Sequence, residues 1–404
     1  MKKRKVSAAM AFIILFGMVS MMSDVVHEGA ASIHGAFLSL LGASAGTIGF
    51  VSGLGELTGY SLRYVFGRIT DRTRSYWPMT IIGYALDIIA VPALALVGPH
   101  GWIAACVLLI VQKMGKAIKK PAKDTILSFA ASQEGVGKSF AIQEMLDQIG
   151  AFLGPLLLYV VMLLKTSGST YQIYSFCFAV LAIPGAITLI LLFITRRNFP
   201  HPEKFEPEPK EYVPFLMRRQ FILYIAGISL FAFGFVDYSM VAMHIARTWC
   251  VVQTSFINAT TLPLLYSGAM LIDAVAAMVF GIMFDRRGSR ALVLSTLLSA
   301  PAAILIFAAH SVAALLVGLA LWGIGMGAQE SVLKAAVTTM VPKSSRATGY
   351  GLFECSFGIF WFLGSWLIGI LYDFSIPVMV SVSLVAQLAA IPLFRTGKAP
   401  HHSR

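Results

Sequence analysis

Asp24, His27 and Glu28 stand at i, i+3 and i+4 in MMSDVVHEGAASIH, residues 21–34, directly after the apolar run AAMAFIILFGMVS. On a helix that spacing puts all three side chains on one face. Two carboxyls and an imidazole held together can take up and release a proton, and in another geometry they can coordinate a metal cation. The same ingredients recur along the chain. Glu56 and Arg63 lie seven residues apart, again on one helical face, and Asp147, Asp237 and Asp273 each interrupt a further apolar stretch. His34 continues the first run and reads as a packing histidine.

Composition sets the elements that must position these groups. The chain has 404 residues, of which 57% are hydrophobic and only 12% charged, and its mean hydropathy is +0.79. Soluble domains carry about 25% charged residues, so this chain is an integral membrane protein. A helix crossing the ~30 Å hydrocarbon core needs about 20 apolar residues. Twelve such segments are expected, with cores near 9–40, 46–66, 78–98, 102–115, 139–163, 172–194, 220–245, 257–281, 291–309, 312–335, 348–372 and 377–394. The fourth runs on past Gly115 into a basic stretch, so part of that helix is expected to protrude into water.

Lys and Arg are retained on the cytoplasmic side of short loops. With both termini inside, only Arg63, Lys113, Lys165 and Arg247 of the 31 Lys and Arg residues fall outside the cytoplasmic segments. The net charge of +12 is then the positive-inside asymmetry, implying contact with the lipid bilayer and no nucleic-acid partner. The basic, apolar N-terminus reads as a first anchor, since no small-residue cleavage site follows it. Cys106, Cys177, Cys250 and Cys355 lack CxxC spacing and read as packing residues. No phosphate-binding Gly-rich loop, nucleophile elbow or HExxH occurs, so neither enzyme activity nor a cofactor is expected.

The stretch RRNFPHPEKFEPEPKEYVPFLMRRQ, residues 196–220, divides the apolar segments six and six. It is expected to be a cytoplasmic linker between an N-terminal half, 1–195, and a C-terminal half, 221–404. The halves repeat. Gly67 and Asp71 in GRITDRTRSY match Gly281 and Asp285 in GIMFDRRGSR, and at nearly the same offset Asp24 matches Asp237, Glu144 matches Glu354 and Gly154 matches Gly364. Six helices per half make these parallel repeats.

These residues resemble the major facilitator superfamily of secondary transporters. Its hallmark between helices 2 and 3 is matched by Gly67, Asp71 and Arg72, with Arg74 in place of the second glycine, and the second copy by Gly281, Asp285, Arg286, Gly288 and Arg290. The core of its antiporter motif is matched in the fifth segment by Gly150, Gly154 and Pro155, which also make a helix-packing and kink signal. The resemblance implies an all-α fold of 12 transmembrane helices in two pseudo-symmetric six-helix halves, both termini cytoplasmic. It also implies a monomer in the cytoplasmic (inner) membrane of a bacterium, working by alternating access on a small molecule or ion.

An ionised side chain at the bilayer centre costs roughly 2.5–3.5 kcal/mol on insertion scales, so the intramembrane charges should face a cavity or a partner. Asp24, Glu28, Glu56, Asp87, Glu144, Asp147, Asp237, Asp273, Glu330 and Glu354 outnumber Arg63, Lys113 and Lys334. The expected site is therefore Asp24, His27, Glu28, Glu56, Arg63, Asp147, Asp237 and Asp273, and the expected activity is proton-coupled antiport, an efflux, of a small cationic or amphipathic solute. Aromatic residues such as Tyr60, Trp322, Phe353, Phe357, Phe360, Trp361 and Phe362 line a pocket or pack helices. Metal-cation transport, and a non-transporting sensor or assembly protein of the same fold, are the alternatives. The orientation is tested by a single cysteine at Glu203 in a cysteine-free background. It should resist a membrane-impermeant maleimide in intact cells and react after permeabilisation, and labelling of intact cells would reverse the topology.

Overall fold

A computed structural model describes residues 7–134, 136–165, 167–205, 219–249, 257–340 and 346–396. Among these residues the chain is helical with no strand. The first expected segments form α1 (Ala8–Leu40), α2 (Ala45–Thr73), α3 (Tyr76–Ala93), α4 (Trp102–Glu134) and α5 (Val136–Leu164). The sixth is a pair, α6 (Thr170–Val180) and α7 (Ala182–Asn198), broken at Leu181. Then come α8 (Arg219–Gly234), α9 (Tyr238–His244), α10 (Leu262–Arg287), α11 (Arg290–Ser299), α12 (Ala302–Phe307), α13 (Val312–Met340), α14 (Arg346–Phe374) and α15 (Ile376–Thr396).

Ten helical segments among the described residues are long and apolar enough to cross a membrane. The long helices outside that set are α2 and α4, of 29 and 33 residues. Both have the length and lack the apolarity, because α2 carries Glu56 and Arg63, and α4 carries a row of lysines.

The chain forms two compact units, one from residues 1–31 and 62–210, the other from residues 32–61 and 211–404. The division thus cuts α1 and α2 as well as the linker expected at 196–220. In the second unit, polar contacts hold the corner between α1 and α2. Arg247 donates from Nε to Ser39 Oγ at 2.7 Å and from a terminal nitrogen to the Ala43 carbonyl at 2.9 Å, while Asp373 accepts from the Gly46 amide at 3.1 Å.

The first unit has an apolar cluster at one end of its helices, built on Phe12, Phe16, Trp77, Tyr84, Ile126, Leu127 and Leu192. Trp77 Nε1 donates to the Phe199 carbonyl at 3.1 Å, so the buried indole leaves no orphan donor there. In the second unit the seventh segment is broken between α8 and α9, and non-helical backbone at membrane depth is tolerated only where its polar groups are re-satisfied. Ser383 Oγ and Gln387 Nε2 donate to the Gly234 carbonyl at 2.6 and 3.1 Å, and Trp322 Nε1 donates to the Val236 carbonyl at 2.8 Å. The expected aromatic stripe is largely packing around this break. Phe235 lies 5.8 Å from Trp322 and 5.7 Å from Trp361 between ring centroids, and Trp361 continues to Phe357 at 5.3 Å.

Candidate functional site

The first unit brings α1, α3, α4 and α5 together around a row of lysines. Lys116, Lys119 and Lys123 are spaced i, i+3 and i+7 on α4, and so share one face. Lys119 and Lys123 are buried, at 6% and 5% exposure, although they lie beyond the apolar part of the helix. The lysine-bearing face of α4 is thus packed against neighbouring helices at Lys119 and Lys123. Its neighbours supply the reason.

Lys119 donates to Asp87 of α3 and, at 2.8 Å, to Ser23 Oγ of α1, and its ammonium lies 4.1 Å from the centroid of the Tyr84 ring. All three directions of the ammonium are thus used. Glycine makes the approach possible: a Cβ on Gly83 would sit 2.5 Å from the Lys119 amide nitrogen, and one on Gly115 would sit 2.6 Å from that of Asp87. Each glycine is four residues before the charged residue on its own helix, so α3 and α4 meet backbone to backbone where the ion pair forms. Breaking such a pair by removing one partner strands the other charge and costs about 3–5 kcal/mol.

His27 joins the pair. Its Nδ1 lies 3.4 Å from Asp87 Oδ1 and 2.6 Å from the Gln112 carboxamide, and its Nε2 lies 3.0 Å from Lys116 Nζ. An ammonium only donates, so Nε2 accepts from Lys116 and Nδ1 carries the hydrogen that Asp87 takes. Both ring nitrogens are spent on protein groups. The expected alternative of metal coordination by Asp24, His27 and Glu28 finds no support here, and among the described residues no group of three or more His, Cys, Asp or Glu is placed to hold a metal ion.

One turn further along α4, Lys123 donates to Ser20 Oγ of α1 and to Asp147 Oδ2 of α5 at 3.4 Å. Gln143 Nε2 donates to the other oxygen of Asp147 at 2.7 Å. Asp24, one turn after Ser20, is in the field of Asp147 and Lys123. The expected α5 motif positions this contact. A Cβ on Gly150 would overlap the Met21 carbonyl and come within 3.0 Å of Asp24 Cβ, and one on Gly154 would overlap the Val25 carbonyl. Gly150 and Gly154 are packing glycines that press α5 on α1.

Of the expected site, the first unit therefore gathers Asp24, His27 and Asp147, with partly exposed Glu28 on the same helix. It adds groups outside the expected set: Asp87, Gln112, Lys116, Lys119 and Lys123. The expected acids Asp24, Glu28, Asp87 and Asp147 of this unit stand with three lysines that were outside the expected set. The remaining expected residues lie on other helices. Glu56 and Arg63 share one helix, α2, and Asp273 is buried in α10 at 3% exposure.

Asp237, the repeat partner of Asp24, has a different setting in the second unit. It is the N-cap of α9, accepting from the Ser239 amide at 2.8 Å and from Ser52 Oγ at 3.0 Å. Ser239 Oγ in turn lies 2.7 Å from His34 Nε2, so the expected packing histidine has a polar partner.

The paired hallmark loops keep a common backbone. The side chains of Asp71 and Asp285 lie outside the described residues, while Arg72, Arg286 and Arg290 are exposed at helix ends. Gly67 faces Pro121 across ordinary van der Waals distance, 3.6 Å from a built Cβ. Arg74 has φ 51°, and its repeat counterpart Gly288 has φ 55°. Each amide closes the preceding helix, Arg74 on the Thr70 carbonyl at 2.8 Å and Gly288 on that of Phe284 at 2.7 Å. Both positions take a positive φ, which glycine adopts without the steric cost that Arg74 bears.

Membrane-length helices, a buried charge cluster and a broken helix with re-satisfied carbonyls define a multi-pass membrane transport protein. A sequence model of the Major Facilitator Superfamily matches residues 6–249 and 240–404, and the chain belongs to that superfamily as a secondary transporter. An uncharacterized protein of Mycobacterium tuberculosis H37Rv is 36% identical over 403 residues, covering 98% of this chain and 95% of the relative. An MFS-type transporter of Methanocaldococcus jannaschii is 27% identical over 373 residues, covering 90% and 89%. Among solved structures, the nucleoside transporter NupG superposes with a TM-score of 0.72 at 15% identity, over 96% of this chain and 98% of that one. A D-xylose-proton symporter superposes at 0.68 with 13% identity, over 96% and 98%. These distant likenesses carry the fold and leave the solute to the chain's own residues.

A non-glycine residue in the left-handed region is disfavoured by roughly 1–2 kcal/mol. Arg74→Gly should accordingly raise the thermal unfolding midpoint of the purified protein. A lower midpoint would mean that the exposed Arg74 side chain contributes more than its backbone conformation costs.

Proposed function

We propose that this chain is a proton-coupled secondary transporter of the bacterial cytoplasmic membrane, with the coupling proton carried on Asp24. The observation that carries the reading is the grouping of Asp24, Asp147 and Lys123: Lys123 pairs with Asp147 at 3.4 Å, and Asp24 of α1 is in the field of both. One ammonium neutralises one carboxylate. Asp147 is taken by Lys123 and Gln143, so Asp24 is the acid of this pair left to take up a proton.

Residues 1–195 and 221–404 act as the moving halves of an alternating-access cycle, with the 196–220 linker on the cytoplasmic side. The α5 glycines hold Asp147 beside α1, so a shift of α5 against α1 within the N-terminal half changes the distance between Asp147 and Asp24. Antiport, with protons entering as solute leaves, is the direction we assign. The solute is amphipathic. Its expected positive charge is set aside, because the lysines of α4 offset the acids that motivated it.

In proteoliposomes carrying the purified protein, Asp24→Asn should lose pH-gradient-driven transport of a panel of amphipathic dyes, down to the level of protein-free vesicles. It should keep gradient-free exchange of the same dyes. Full gradient-driven transport by Asp24→Asn would remove the proton from Asp24 and overturn the assignment.

A further inference from the structure

The three lysines on the buried face of α4 differ in what they meet. Lys119 and Lys123 each meet a carboxylate, Asp87 and Asp147. Lys116 meets an imidazole, and among the described residues no carboxylate lies within ion-pair distance of its ammonium. It is also partly exposed, where the other two are buried. An ammonium has three donors, and His27 accepts one of them. A cation with a neutral partner in a lipid-embedded protein is costly unless something else completes its shell.

Its surroundings fix its position without neutralising it. His27 is held by Asp87 and Gln112, and Asp87 is already committed to Lys119. Neither Asp24 nor Glu28, the acids of the same stretch of α1, lies within ion-pair distance of the Lys116 ammonium among the described residues. In the reading given above, Asp24 carries the proton, so it does not cancel the charge of Lys116.

We propose that Lys116 binds an oxyanion of the transported solute, with His27 as its positioning residue, so that the substrate class is an amphipathic organic anion. This rests on the assignment of the first unit as the coupling site. It is separable from that assignment, because binding is read at equilibrium with no gradient.

The full chain in phosphatidylcholine nanodiscs, titrated with sodium benzoate or inorganic phosphate, provides the test by thermal unfolding. Benzoate should raise the midpoint of wild type and of Lys116→Arg, and its apparent affinity should fall at least about tenfold in Lys116→Gln, as expected for loss of a charge-assisted hydrogen bond. Lys120→Gln, which breaks only the Lys120–Asp124 pair at 3.5 Å, should bind like wild type. In unmodified protein, benzoate should slow acylation of Lys116 relative to Lys120, read by mass spectrometry, which needs no variant to fold. A benzoate response unchanged in Lys116→Gln, no response in wild type, or stabilisation by tetraphenylphosphonium alone would overturn the proposal. So would a Lys116-dependent shift seen only in nanodiscs containing phosphatidylglycerol, which would make the ligand a lipid headgroup.

Discussion

The contact between Lys119 and Asp87 is the constraint on which the first unit depends. Both groups are buried in a protein whose surroundings are lipid, where neither charge survives without the other. Their pairing requires α3 and α4 to approach to glycine distance, which Gly83 and Gly115 allow. It also fixes α1, since Lys119 reaches Ser23 and Asp87 lies beside His27. Once α1 is placed, Lys116 and Lys123 fall against His27 and Ser20, and α5 arrives with Asp147 through its own glycines. A single buried pair thus orders four helices and their titratable groups.

The second unit solves a related problem with neutral groups. Its broken helix frees carbonyls at Gly234 and Val236, and serine, glutamine and indole donors take them up. The repeat is therefore real in the backbone and lost in the chemistry. Arg74 and Gly288 share a positive φ after matching helices, whereas Asp24 stands among charges and Asp237 caps a helix. This asymmetry supports placing proton coupling in the first unit.

Much of the fold was legible because it follows from solvent. A chain with 12% charged residues is solvated by lipid, and its apolar segments and the Gly67/Gly281 repeat could be read directly. The lysine row was not legible. Lys116, Lys119 and Lys123 follow an apolar core, so they look like a solvated cytoplasmic extension, and only the i, i+3, i+7 spacing opposite Asp87 hinted at a buried face. The capping role of Asp237 was hidden for a similar reason. Sequence offset aligned it with Asp24, but the break after Gly234 turns an aspartate into a cap, and the signal for that was the short Gly-to-Asp interval.

A double-mutant cycle on Asp87 and Lys119, read as thermal unfolding in one detergent, tests most directly whether a buried pair organises the unit. Asp87→Asn and Lys119→Met should each lower the midpoint sharply by stranding the other charge, and the double variant should recover much of the loss. Losses that simply add in the double variant would show that the two residues act independently, and would contradict the pair as the organising contact.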